Sequence, residues 1–195
     1  MPTTVVIPIK SFRTGKQRLS SVLSPDARAA LIKSLADHVA STVAEADLLP
    51  LIVTADSDVA AWAIGQGFPS IPDPGEGLNV AARVGVVWAT QTRGSWLVTH
   101  GDLPMLDVAD LNALESVLAA GANPIAPSAD GGTSAVGGVA EAPFYFGEGS
   151  FQRHLMAAPR PHVVFRPGLA LDIDSPLDLE AALRHPRGAW IGDVL

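Results

Sequence analysis

Two short β-branched runs with one long amphipathic segment between them constrain this chain more than any other feature. Thr4-Val5-Val6-Ile7-Pro8-Ile9 is almost continuously apolar, as a strand buried on both faces must be. Leu49-Pro50-Leu51-Ile52-Val53-Thr54 repeats the pattern. Between them, Ser24-Pro25-Asp26 supplies a helix N-cap, a proline at the first helical position and an acidic first turn. Leu31, Leu35, Val39 and Val43 follow at four-residue spacing and give that helix one apolar face. Strand, helix and strand at this spacing fit a right-handed parallel crossover. The expectation is an α/β fold: a single-domain, three-layer sandwich with a mostly parallel central sheet and Rossmann-like connections.

Later segments extend the alternation. Ser57 opens a short helix that runs through Ile64 and stops near Gly65 and Gly67, with Asp56 and Asp58 as local caps. Pro72 to Asn79 is a turn-rich loop leading into a helix that includes Val80 to Trp88. Trp96 to Thr99 is a strand, and Asp107 caps the next helix, with Asp110 at N3 and Leu111, Leu114 and Leu118 on one face. Asn123 to Pro127 reads as a strand, Ser128 to Gly138 as a small-residue loop, and Pro143 to Phe146 as strand-like. Phe151 to Ala157 reads as a helix and Leu169 to Asp174 as a strand. Ser175-Pro176-Leu177-Asp178 opens the last helix, and His185 to Leu195 forms a tail in which Trp190 packs back. No repeat or linker divides residues 1–195, so one domain is expected.

Composition narrows the function. A hydrophobic content of 48% with 17% charged residues suits a soluble globular chain. Its apolar runs are too short to span a bilayer, and the N-terminus has no signal-peptide pattern. There is no cysteine, which excludes disulfides and thiolate chemistry and fits a cytoplasmic enzyme. A net charge of −7 argues against nucleic acid as the partner. The oligomeric state is not fixed by the sequence, and a homo-oligomer stays open.

The chemistry gathers at strand ends. In Trp96-Leu97-Val98-Thr99-His100-Gly101-Asp102-Leu103-Pro104, an apolar run delivers Asp102 to the position where open α/β sheets bind ligands. Asp172 and Asp174, two apart in a strand, would project to one side. Two carboxylates about 4 Å apart repel by roughly 4 kcal/mol at an effective dielectric near 20, so a divalent cation or a proton must accompany them. All-oxygen ligands suit Mg²⁺. The five histidines show no metal-ligand spacing. Directly after the first strand, Lys10, Arg13, Lys16 and Arg18 form a basic loop in an otherwise acidic chain. It lacks the P-loop pattern, but phosphate loops of α/β folds occur in that place. Basic loop, acids and cation suit a nucleoside triphosphate attacked in line at its α-phosphorus by a second anion. Lys10, Lys16 and Arg18 are the phosphate contacts, the latter two with Asp102 the catalytic set. Asn79 has an amide able to donate to and accept from a ribose or base.

These landmarks resemble a known family. Ile7-Pro8-Ile9-Lys10 with Lys16 and Arg18-Leu19, Gly77-Leu78-Asn79, Gly101-Asp102-Leu103-Pro104, Phe146-Gly147-Glu148-Gly149-Ser150 with Arg153-His154, and Asp172-Ile173-Asp174-Ser175-Pro176 occur in the order seen in the 2-phospho-L-lactate/phosphoenolpyruvate guanylyltransferases of coenzyme F-420 biosynthesis. The resemblance implies the nucleotide-diphospho-sugar transferase fold, GTP as donor, and Mg²⁺ held by Asp102, Asp172 and Asp174. It also implies a three-carbon phosphate acid, phosphoenolpyruvate or 2-phospho-L-lactate, bound by Thr133, Ser134, Gly147 and Ser150. The chain departs from the family where Gly131-Gly132-Thr133-Ser134 replaces Gly-Thr-Gly-Thr. Nucleotidyl transfer to another phosphorylated acceptor (3-phosphoglycerate, a sugar phosphate or molybdopterin), or nucleotide binding without catalysis, are the alternatives.

Overall fold

The computed structural model describes residues 2–92 and 94–195. Its centre is a seven-stranded sheet of β1 (Thr4–Pro8), β2 (Leu49–Thr54), β3 (Ser70–Pro72), β4 (Trp96–Thr99), β5 (Asn123–Pro127), β6 (Thr133–Gly138) and β7 (Pro161–Val163). The strand order is β3-β2-β1-β4-β6-β5-β7. β1 is parallel to both β2 and β4, β2 to β3, and β5 to β7, whereas β6 runs antiparallel to β4 and β5. The helices are α1 (Pro25–Glu45), α2 (Ser57–Gly65), α3 (Leu78–Thr92), α4 (Val108–Ala119), α5 (Ser150–Ala157), α6 (Pro167–Ala170) and α7 (Pro176–Arg184).

Alternation along the strands makes the three layers. Val5, Ile7, Ile52 and Leu97 pack with Val39 of α1, Val59 of α2 and Leu111 of α4. Val6, Leu51, Val53, Trp96 and Val98 pack on the other face with Ala81, Ala82 and Val86 of α3. Helix α3 approaches β1 so closely that a Cβ on Gly85 would overlap Val6 Cγ1. The expected caps are formed: Ser24 accepts from Ala27 N, Asp107 from Ala109 N, and Ser175 makes a capping box with Asp178. Trp190 does pack back, donating from Nε1 to Pro104 O at 3.0 Å.

Three readings of local structure are corrected, and two short strands are added to those expected. The small-residue stretch 128–138 is not all loop, because Thr133–Gly138 is β6 in the middle of the sheet. Small residues belong there: a Cβ on Gly137 would sit 2.5 Å from Leu97 Cδ2 and 3.0 Å from Trp96 O. Residues 143–146 are not a strand. Phe144 instead packs edge-on to Trp96, with centroids 5.6 Å apart, and stacks on Phe146 at 6.0 Å. Asp172 and Asp174 are not on a strand either. Pro167 starts the single turn of α6, and the segment beyond it is anchored by Ala129 N to Ala170 O and Ile173 N to Asp102 O. Finally, β3 and β7 have three residues each, too few to leave a periodic signal.

Candidate active site

From β1 the chain winds outward to β2 and β3, then returns to place β4 on the other flank of β1. Ligands of open α/β sheets bind at such a reversal, beyond the carboxyl ends of the strands. A cavity of about 230 Å³ opens there, and Lys10 and Lys16 from the loop after β1 face His100 and Asp102 from the loop after β4, with Asp174 alongside.

Lys16 is the electrostatic hinge of the cavity. It adopts a left-handed backbone (φ 51°), and its side chain is only 7% exposed. Its ammonium donates to Asp102 Oδ2 at 2.5 Å, to Asp174 Oδ1 at 3.4 Å and to the carbonyl of Ile173. Burial alone would lower the pKa of Lys16, but the Asp102 carboxylate outweighs it, helped by Asp174, and the net shift is upward. Asp102 shows the mirror image: burial opposes its ionisation, and Lys16, then His100, pull its pKa down overall. Both groups are therefore ionised at neutral pH.

Asp172 lies close to Asp102. One ligand atom each from His100, Asp102 and Asp172 falls within a 4.8 Å span. Burial, then the negative charge of Asp102, pushes the Asp172 carboxyl up to about 6. Asp102 Oδ1 and His100 Nε2 are buried with no hydrogen-bond partner among the described residues. Asp174 stands outside this group and faces Lys16. Histidine–histidine spacing does not single out His100. The signal available was His100-Gly101-Asp102, two ligand types two residues apart at a strand end.

The other expected residues are distributed unevenly. Lys10 is exposed and lines the cavity. Arg18 is exposed on the 3-10 turn Gln17–Ser21 and does not line it. Asn79 is bound to the backbone of the loop before α5. Its Oδ1 accepts from Phe146 N at 2.7 Å, and its Nδ2 donates to Phe146 O at 3.3 Å. Thr133 and Ser134 are buried, and their hydroxyls are taken internally, by His154 Nδ1 at 2.9 Å and Ala126 O at 3.2 Å. Each of these side chains has a protein partner and keeps hydrogen-bonding capacity beyond it, since a hydroxyl offers one donor and two acceptor sites and an amide two of each. Ser150 is buried at the start of α5, and Gly147 and Gly149 take the positive φ values (122° and 64°) that turn the chain into it.

The Tyr145–Gly149 turn is thus held from two sides, by Asn79 on α3 and by His154 on α5. His154 Nε2 accepts from Tyr145 N at 2.9 Å, so the neutral ring carries its proton on Nδ1 and donates to Thr133. Between these holds, the ring of Phe146 meets His100 at 5.5 Å and His154 at 5.0 Å. Burial, with the charge of Arg153 added, lowers the His154 pKa to about 4. An unfolded chain takes up this proton near pH 6.5 whereas the folded one does not, so stability is lost as pH falls from about 6.5 to about 4. The expected loss is about 3 kcal/mol for full protonation. Thermal unfolding of wild type and His154→Asn across pH 4–8 checks this, with the wild type showing the steeper fall.

The family model described as guanylyl transferase, CofC-like, matches residues 3–191. The chain belongs to the CofC family. Among its members, the phosphoenolpyruvate guanylyltransferase of Sphaerobacter thermophilus is 35% identical over 97% of both chains. That of Rubrobacter xylanophilus is 37% identical over 92% of both. The 2-phospho-L-lactate guanylyltransferase of Methanothermobacter thermautotrophicus is 28% identical, covering 100% of this chain and 90% of its own. The architecture is also found in solved structures of low sequence identity. A Desulfovibrio desulfuricans crystal structure described as a candidate nucleotide-diphospho-sugar transferase superposes with a TM-score of 0.74 at 14% identity, covering 99% of this chain and 95% of its own. The expected fold class therefore holds.

Proposed function

We propose that this chain transfers GMP from GTP to the phosphate of phosphoenolpyruvate, releasing pyrophosphate, in the cytoplasm and as a step of coenzyme F-420 biosynthesis. The observation that carries the reading is the Lys16–Asp102–Asp172 cluster at the sheet's reversal point, in a chain whose relatives at 35% and 37% identity bear that name.

The donor set fits a divalent cation. Asp102 Oδ1 is buried without a hydrogen bond, Asp172 is close enough to be repelled by it, and carboxylates suit Mg²⁺. Asp102 and Asp172 would hold the ion, with His100 beside them and Asp174 within reach of Lys16. When bound, the ion supplies positive charge between triphosphate and acceptor and stabilises charge building on the α-phosphoryl oxygens. Lys16 fixes Asp102 and Asp174 relative to each other and adds a buried positive charge below the phosphates. Lys10 meets the outer phosphates at the cavity mouth, and Arg18, farther out, adds to the attractive field. The acceptor rests on the turn from Gly147 to Ser150 and on the Thr133 loop. One of its ionised phosphate oxygens bonds to the α-phosphorus as the bond from that phosphorus to the bridging oxygen of pyrophosphate breaks. No proton has to be removed, which agrees with a cluster whose lysine is already charged.

Because two Asn79 hydrogen bonds fix the turn to α3, beside the packing of Phe146 on that helix, Asn79→Ala is expected to raise the acceptor KM about tenfold. It should move the GTP KM little and cost about 1–2 kcal/mol of stability. Steady-state kinetics with each substrate varied in turn checks that split. The second reading, 2-phospho-L-lactate as acceptor, is favoured by the Methanothermobacter relative. Pyrophosphate release from GTP and Mg²⁺ with phosphoenolpyruvate, 2-phospho-L-lactate, 3-phosphoglycerate or no acceptor separates the readings. Phosphoenolpyruvate should give the highest kcat/KM, and release with none of the three would overturn the proposal if binding of GTP alone remained.

A further inference from the structure

A second cavity of about 640 Å³ adjoins the first on the β2–β3 side, and the two share Pro8, Ile9, Lys10, Ser11 and Leu78. The loops following β1, β2 and β3 enclose it, and its size suits a nucleoside. Two carboxylates line it. Asp56 is committed to the protein, because its Oδ1 caps α2 by accepting from Asp58 N at 2.9 Å and Val59 N at 3.1 Å, and Ser11 hydrogen-bonds it as well. Asp73 is committed only by half. Its N–H donates to Thr54 O at 2.9 Å, which pins the residue at the end of β3. Its Oδ1 accepts from Gly75 N at 2.9 Å, and Gly75 has the positive φ (82°) that this tight turn needs. Its Oδ2 has no protein partner among the described residues.

We propose that Asp73 is the residue that selects guanine. This rests on the guanylyl-transfer reading above. The Watson–Crick edge of guanine presents two adjacent donors, N1–H and the N2 amino group, and an anchored carboxylate accepts from both. Adenine presents N1 and cytosine presents N3 as bare acceptors, whose lone pairs a carboxylate repels. Uracil offers one donor flanked by two carbonyls. A carboxylate placed here therefore discriminates by attraction to one base and repulsion from the others.

The test compares kcat/KM for GTP, ITP, XTP and ATP in wild type and Asp73→Asn. ITP lacks the amino group, so wild type should use it about tenfold less well than GTP. In Asp73→Asn the side-chain amide donates instead of accepting, which clashes with the N2 amino group of guanine and complements the C2 carbonyl of xanthine. GTP use should fall by about tenfold to a hundredfold and XTP should become the better donor, with the thermal unfolding midpoint unchanged. An unaltered GTP-to-XTP ratio in Asp73→Asn, or equal use of GTP and ITP by wild type, would overturn the assignment. Should wild type form no product from GTP, the functional reading fails separately. Calorimetric titration of GTP and XTP into both proteins then decides the role of Asp73 by whether the affinity order inverts.

Discussion

Replacing Asp102 by Asn is expected to lower kcat by about a thousandfold while moving the unfolding midpoint by only a few degrees. The carboxylate holds Lys16 with one oxygen and leaves the other, Oδ1, buried without a hydrogen bond, with His100 Nδ1 4.0 Å away and Asp172 nearby. Asn keeps the shape but loses the charge that a cation and Lys16 both require. The stability cost is small for two reasons. Lys16 retains Asp174 and the Ile173 carbonyl, and Asp172 is relieved of a like charge beside it. A net cost of about 1 kcal/mol corresponds to roughly 2–4 °C in a chain of this size. Product formation under saturating substrates, paired with calorimetry, measures both quantities. Activity within tenfold of wild type, or a midpoint lowered by more than about 10 °C, would assign Asp102 to the scaffold instead.

The opposite balance is expected at Asp110. This carboxylate is completely buried near the start of α4, where Arg166 Nε meets Oδ1 at 2.9 Å and Arg187 Nη1 meets Oδ2 at 3.0 Å. Arg166 precedes α6 and Arg187 follows α7, so the pair fastens the C-terminal segment that carries Asp172 and Asp174 onto the body of the protein. Packing is tight: a Cβ on Gly168 would overlap Asp110 Oδ2 and lie 2.6 Å from Met105 O. Breaking a buried ion pair from one side costs about 3–5 kcal/mol. The two arginines are each about a third exposed and keep part of their hydration, so Asp110→Ala should fall near the low end, about 3 kcal/mol. That is a drop of roughly 6–12 °C in midpoint. Activity per folded molecule should survive better than in Asp102→Asn. Unfolding in urea checks this, and a loss below about 1 kcal/mol would show that the network is dispensable.

The parts of this architecture that were legible in the sequence are those governed by local, periodic rules. The buried runs Thr4–Pro8 and Leu49–Thr54, the caps at Ser24, Asp107 and Ser175, and the four-residue apolar spacing of α1 each state their conformation within a few residues. The place of Asp102 was legible for the same reason, since a strand ending in Gly-Asp puts a carboxylate at the carboxyl edge of the sheet. What escaped depends on contacts made far along the chain. Strand β6 looks like a loop because its glycines answer the bulk of Trp96 and Leu97, some forty residues earlier. Nothing near Asn79 in the sequence announces that its amide holds the backbone of Phe146, sixty-seven residues on. Asp110 looks like an ordinary acid in a helix's first turn until Arg166 and Arg187 arrive from beyond β7. His100 has a neighbour in Asp102 within the sequence, but Asp172 joins the two only through the fold.

The central claim is that the α-phosphoryl group of GTP becomes joined to the phosphate of a three-carbon acid at the Asp102 cluster. The direct measurement is incubation of the protein with Mg²⁺, phosphoenolpyruvate and GTP labelled at the α-phosphorus. The account predicts label in a product that contains both guanosine and the enolpyruvyl group, an equal amount of unlabelled pyrophosphate, and neither from Asp102→Asn. Label recovered only in GTP, GDP or GMP, with the acceptor unchanged, would contradict it.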